Sequence, residues 1–148
     1  MFLVNHILAE YIFLVTSLKA RYTNGKKELN RMVKFYTYPK CSTCRNAKKW
    51  LEANGIEFEE IHLIENPPTK EQLEEIVNKF SLDTKKLFNT SGQKYRELGL
   101  KDQLATMSKD EQLALLASNG MLIKRPLLVM DQKVVTGFKE DIYKNLFL

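Results

Sequence analysis

Val33-Lys34-Phe35-Tyr36-Thr37-Tyr38-Pro39-Lys40-Cys41-Ser42-Thr43-Cys44 joins two kinds of local structure in one short run. Val33 to Tyr38 is rich in β-branched and aromatic residues, which suit a pleated, half-buried strand. Pro39 cannot donate to a ladder and ends it. Ser42 and Thr43 then offer N-cap chemistry for a helix. That helix carries Ala47, Trp50 and Leu51 at i, i+3 and i+4, and Asn54-Gly55 stops it. Two cysteines therefore fall at the junction of a strand and a helix.

Phe58 to Leu63 reads as a second strand, ended by Asn66-Pro67-Pro68. Thr69-Lys70-Glu71-Gln72 has capping-box spacing and opens a helix through Leu73, Ile76, Val77 and Phe80. Residues 83–107 are less periodic; short helices around Leu87 and Leu98 are expected, with a loop at Asn89–Gln93. Ser108 to Glu111 forms a second capping box, and its helix runs through Leu113, Leu115 and Leu116 to Asn119-Gly120. After Arg125-Pro126 come an apolar strand at Leu127–Met130, a tight turn at Asp131-Gln132, a returning strand at Lys133–Thr136 and a closing helix at Lys139–Phe147.

The order is β-α-β, several helices, β-β-α. The first unit requires parallel strands and the late hairpin an antiparallel pair. The predicted fold class is therefore α/β: a mixed four-stranded sheet with helices on both faces, the thioredoxin-like layout with a helical insertion in its middle.

The chain has 148 residues and a formal charge of +5, the size of one ordinary domain. Hydrophobic residues at 44% and charged residues at 28% exclude wholesale disorder, and two cysteines exclude a multi-disulfide framework. The charge is uneven: residues 1–31 carry +3, and residues 32–148 only +2. No basic stripe with interleaved aromatics marks the latter part, so direct DNA binding is not expected.

Residues 1–31 read apart from the rest. Phe2 to Leu18 is mostly apolar but holds Asn5, His6 and Glu10, with no preceding cation and no small-residue cleavage site, so neither a signal peptide nor a membrane span fits. Lys27-Glu28 can be encoded AAG-GAG, a bacterial ribosome-binding sequence, and Leu29 to Arg31 leaves a workable spacer before Met32. The expected organisation is a non-native leader or extension at 1–31, with the true start at Met32, and a domain at 32–148.

A thiolate is the nucleophile in cysteine chemistry, and the unpaired N–H groups and positive end of a helix favour it. Cys41, just before the first turn, is expected to attack, and Cys44, one turn inside, to resolve. Lys40, Arg45 and Lys48 add positive charge nearby. A zinc site would need about four ligands; there is no second cysteine pair, and His6 and His62 do not supply the spacing. Arg125-Pro126 precedes the third strand, where a proline of this layout is often cis and faces the active thiol. Arg125 is expected to hold an anion there or favour the thiolate.

Tyr38-Pro-Lys-Cys-Ser-Thr-Cys-Arg-Asn-Ala, Glu65-Asn-Pro-Pro, Tyr95-Arg-Glu-Leu-Gly-Leu and Ile123-Lys-Arg-Pro-Leu-Leu-Val occur in the order that resembles the glutaredoxin-linked arsenate reductase and Spx family. The likeness runs from Met32 to about Leu146. It implies a thioredoxin-like fold and a reactive cysteine at Cys41. Arsenate reductases of this type surround the oxyanion with three arginines. Arg125 matches one, Asn89 stands at the second position, and Val135-Thr136-Gly137 holds no third. Two missing cations predict poor arsenate reduction. The Spx branch uses the CxxC pair as a redox switch and binds the RNA polymerase α subunit, but the glycine serving that contact has no counterpart in Ile76–Asn89, nor has the basic C-terminal extension before Leu148. The nearest resemblance is to the CxxC-bearing arsenate-reductase-related group with the Phe88-Asn-Thr-Ser-Gly signature.

The expected function is thus that of a cytoplasmic, monomeric bacterial thiol–disulfide redox protein. Cys41, Cys44 and Arg125 would act in catalysis. Ser42, Thr43, Arg45, Asn89 and Pro126 would bind an oxidised thiol or oxyanion. No metal or organic cofactor is implied, and no membrane partner. Glutathione with glutaredoxin, or a bacillithiol-type thiol, would restore the dithiol. The alternative is an Spx-like redox-switch regulator bound to the polymerase α subunit.

Overall fold

The computed structural model describes residues 33–148. The segment 1–31, Met32 and the leader reading lie outside the described residues. Strand β1 spans Lys34–Thr37, helix α1 Ser42–Ala53, and strand β2 Glu59–His62. The insertion follows: α2 at Lys70–Lys79, a 3-10 turn at Thr84–Leu87, α3 at Gln93–Glu97, α4 at Leu100–Gln103, α5 at Lys109–Ser118 and a second 3-10 turn at Gly120–Leu122. The chain closes with β3 at Leu127–Val129, β4 at Val134–Thr136 and α6 at Glu140–Phe147.

The four strands form one sheet in the order β2-β1-β3-β4. β1 runs parallel to β2 and antiparallel to β3, and β4 pairs back on β3. This is the mixed sheet expected from the element order. β2 lies at an edge and half of it faces solvent, which explains its weak alternation in sequence.

Period-two alternation divides the core between the two sheet faces. Phe35 and Leu128 point to one side, where Ala47 and Leu51 of α1 and Tyr143 of α6 cover them. Tyr36 and Leu127 point to the other, against Leu73 and Val77 of α2 and Leu113 and Leu116 of α5. Burying a leucine completely contributes about 1.5–3 kcal/mol, so these rows hold the helices to the sheet.

Both expected capping boxes are present: Thr69 with Gln72, and Ser108 with Glu111. Each satisfies two otherwise orphaned N–H groups at a helix start, where such a cap contributes about 1 kcal/mol. Between them, Gln112 of α5 is buried, bonds the Thr84 hydroxyl, and donates to the carbonyls of Leu104 at 3.0 Å and Met107 at 3.2 Å. One side chain thereby ties the 3-10 turn, the end of α4 and α5 together.

One local reading is corrected. Ser42 and Thr43 are not the N-cap of α1; Cys41 is, with extended backbone and its sulfur accepting the N–H of Cys44. Ser42 is already the first helical residue. The cap has moved because the turn after β1 closes early, Cys41 N–H donating to the Tyr38 carbonyl at 3.0 Å. The loop expected through Gln93 also ends sooner, since Gly92 caps α3 and Gln93 opens it.

Among the described residues no helix is long and apolar enough to cross a membrane, and no three His, Cys, Asp or Glu side chains gather as a metal site. The ring of His62 is occupied: its Nδ1 accepts backbone N–H groups from Ile64 at 3.3 Å and Glu65 at 3.2 Å.

Candidate functional site

Cys41 stands where β1 gives way to α1, half-buried, with its sulfur 3.2 Å from the backbone nitrogen of Cys44. A sulfur accepting a first-turn N–H takes the place usually filled by a Ser or Asp oxygen. Such an N–H, with the positive end of the α1 dipole behind it, stabilises negative charge on that atom.

Cys44 is its opposite. It is fully buried on the inner face of α1, and its thiol is pushed up to about 11. Burial is the main cause, and the hydrogen bond and charge of Cys41 add to it. Hydrogen bonds from the Tyr38 backbone and the Thr37 side chain pull back part of the rise. At neutral pH Cys44 is a thiol held against Cys41.

The Arg125-Pro126 bond is cis. Pro126 is buried, and its carbonyl accepts the Gly137 N–H at 2.8 Å, which joins the start of β3 to the end of β4. Arg125 lies with its guanidinium carbon 5.3 Å from the centre of the Tyr38 ring, a cation–π arrangement. Its Nη1 is the one buried side-chain nitrogen or oxygen among the described residues that lacks a hydrogen-bond partner. A buried, unpaired guanidinium N–H is costly unless an anion or acceptor completes it.

These pieces meet in a cleft of about 470 Å³ lined by Cys41, Thr43, Asn89, Lys124, Arg125 and Gly137, together with the 91–93 turn. Four of the expected site residues, Cys41, Thr43, Asn89 and Arg125, are thus brought together from three separate segments. Four others are not in its lining: Ser42 is exposed at the start of α1, Cys44 and Pro126 are buried, and Arg45 faces away. Arg45 donates to the Pro39 carbonyl at 2.9 Å and lines a different hollow of about 440 Å³ beside Cys44, where Lys48 is paired with Glu60 at 2.6 Å.

Lys124, Ser91, Gly92, Gln93 and Gly137 line the cleft without having been expected there as site residues. Lys124 adjoins Arg125 and could have been found from that alone. The 91–93 turn arrives through backbone pairing, with Asn89 N–H bonded to the Leu122 carbonyl at 2.7 Å and Lys124 N–H to the Leu87 carbonyl at 2.7 Å. Asn89 is set by this pairing, and its side-chain oxygen accepts from the Ser91 hydroxyl at 3.3 Å.

Fold and thiol pair define a thioredoxin-like protein of thiol redox chemistry. The sequence model of the ArsC family matches residues 36–146, and the chain belongs to that family. It is 63% identical over 111 residues to the uncharacterized protein YusI of Bacillus subtilis, covering 75% of this chain and 94% of YusI. It is 36% identical over 110 residues to the regulatory protein MgsR of the same organism, covering 74% of this chain and 86% of MgsR. Among solved structures it resembles a possible arsenate reductase from Streptococcus mutans UA159, with a TM-score of 0.74, 48% identity, and coverage of 80% of this chain and 99% of the other.

Proposed function

We propose that the protein is a thiol–disulfide oxidoreductase with Cys41 as nucleophile and Cys44 as resolving thiol. The observation that carries this reading is the Cys41 sulfur serving as N-cap of α1 in the lining of an open cleft, with a buried thiol one turn behind it.

In the first step the Cys41 thiolate attacks one sulfur of an oxidised substrate. The Cys41–substrate S–S bond forms, the substrate's own S–S bond breaks, and the departing thiolate takes a proton from water. Once Cys41 is covalently engaged, its contributions to raising the Cys44 pKa vanish, leaving burial opposed by the hydrogen bonds of the Tyr38 backbone and the Thr37 side chain. Cys44 then loses its proton and attacks the Cys41 sulfur. The second substrate thiolate leaves, and an intramolecular disulfide remains. Two electrons have passed to the substrate. Two equivalents of an external thiol, or one dithiol, return them. Arg125 and Asn89, which line the cleft, orient the substrate beside Cys41, the Arg125 guanidinium donating to its anionic or acceptor group.

The same cleft supports weak arsenate reduction at best. It is lined by one guanidinium, Arg125, and one ammonium, Lys124, with Asn89 and Gly137 where further cations would serve a multiply charged oxyanion.

The test is turnover. The reduced protein is expected to reduce a peptide or low-molecular-weight disulfide with a regenerating thiol. Cys41→Ser should abolish the reaction, and Cys44→Ser should stall it at a mixed disulfide visible by intact mass. No turnover with any regenerating thiol, and no trapped species, rejects the reading. Similarity to MgsR favours a second reading, a regulator switched by the Cys41–Cys44 pair. Pull-down of the RNA polymerase α C-terminal domain in the reduced and oxidised states tests it.

A further inference from the structure

The cleft at Cys41 does not end at Arg125. It continues into a second hollow of about 370 Å³ lined by Lys85, Lys86, Asn89, Ser91 and Lys124, the last three shared with the cleft itself. Residues far apart in sequence are clamped together here by an antiparallel bridge between Phe88 and Ile123. Arg96 adds another cation from α3, its Nη1 donating to the Ser91 carbonyl at 2.8 Å.

The charge on this strip is one-sided. Neither hollow is lined by an Asp or Glu, in a chain that has 18 of them. The ion pairs among the described residues are Lys48–Glu60, Lys70–Asp110, Lys94–Glu97 and Lys144–Glu140, so Lys85, Lys86, Lys124 and Arg125 take part in none. The acid nearest Lys85 and Lys86 in sequence, Asp83, accepts the Lys85 backbone N–H at 3.0 Å as the cap of its turn, and Glu97, next to Arg96, is taken up by Lys94 at 3.6 Å and by Gln93 Nε2 at 2.7 Å. Holding like charges together costs free energy that an anionic partner recovers.

The shape selects among anions. An enclosed, mainly apolar pocket suits a small molecule. Two polar, solvent-open hollows laid end to end suit an extended chain whose acidic side chains meet the lysines while its sulfur reaches Cys41. We propose that this strip docks an acidic polypeptide segment next to the disulfide that Cys41 attacks, its carboxylates lying on Lys85, Lys86 and Lys124. The inference rests on the thiol–disulfide reading above and deepens it by naming the substrate class.

The experiment compares two disulfide-bearing peptides of equal length, one flanked by Asp and Glu and one by Asn and Gln. The rate of mixed-disulfide formation with the Cys44→Ser protein is followed in low and high salt. The acidic peptide is expected to react about tenfold faster in low salt and to lose that advantage in high salt. Lys85→Glu with Lys86→Glu should abolish or invert the preference. Lys85→Gln with Lys86→Gln should reduce it, and this milder pair decides the matter if the first misfolds by thermal melting. Equal rates for the two peptides, or a preference unchanged by the substitutions, overturn the docking strip and leave the thiol chemistry standing. A slowing of glutathione disulfide as large as that of the acidic peptide assigns the lysines to a small anion and also overturns it. Failure of both peptides to form any mixed disulfide sinks the thiol reading and this inference with it.

Discussion

The sulfur of Cys41 accepts the backbone N–H of Cys44 at 3.2 Å, so the two cysteines are linked through the helix cap before any disulfide forms. Their environments differ: Cys41 reaches the cleft, whereas Cys44 is pushed up to about 11, chiefly by burial. Alkylation of the single variants should separate them. Cys41 in the Cys44→Ser protein is expected to react readily at neutral pH. Cys44 in the Cys41→Ser protein should react at least about tenfold more slowly, since each pKa unit is a tenfold loss of thiolate. Equal pH profiles would reject the assignment of roles.

The same burial links Cys44 to stability. The folded state holds its proton more tightly than the unfolded chain, so the associated stability is fully present below about pH 9 and is lost as pH rises toward 11. Denaturant unfolding of the reduced protein on both sides of that window should show a steeper loss for the wild type than for Cys44→Ala.

Arg125 lies over Tyr38 and presents an unpaired Nη1. Arg125→Ala is expected to lower kcat/KM for anionic disulfides by about 10–100-fold, because a charge-assisted hydrogen bond contributes about 1.5–3 kcal/mol. Arg125→Lys should recover little, since an ammonium lacks the planar fork that both stacks on the ring and donates to the substrate. Steady-state kinetics with charged and neutral disulfides would check both, and full recovery by Lys would contradict this role.

Arsenate provides a gain-of-function test. Asn89 and Arg125 line the same cleft. Asn89→Arg should therefore tighten arsenate binding at least about tenfold, a gain of about 1.4 kcal/mol. Calorimetric titration of the reduced protein measures it; an unchanged Kd would show that the cleft is not arranged for an oxyanion at that position.

Two buried positions should govern stability without touching the thiols. A Cβ on Gly120 would lie 2.0 Å from the Leu63 carbonyl oxygen, a backbone atom that cannot swing aside. Gly120→Ala is expected to cost about 2–4 kcal/mol and to lower Tm by roughly 5–15 °C. Gln112→Leu strands the carbonyls of Leu104 and Met107 and the Thr84 hydroxyl, and should cost a similar amount. Thermal melts would measure both losses.

The amino-acid sequence alone makes legible the element order, both capping boxes, the strand–CxxC–helix junction and the parallel-then-antiparallel pairing. Each is local or follows from alternation over a few residues: Thr69 and Gln72, or Phe35 and Tyr36, declare their roles within one turn or one pleat. It misplaced the cap of α1, because Ser42 and Thr43 are good capping residues and only the early turn at Tyr38–Cys41 puts the Cys41 sulfur in their stead. Tertiary structure decided which residues share the cleft. Arg45, adjacent to Cys44 in sequence, turns to the opposite side, while Lys124 and the 91–93 turn arrive through pairing of Leu87–Asn89 with Leu122–Lys124. The reason is physical: periodicity and capping act over a few residues, whereas the clustering of unpaired cations around Cys41 depends on hydrogen bonds between segments more than thirty residues apart, whose partners no local pattern specifies.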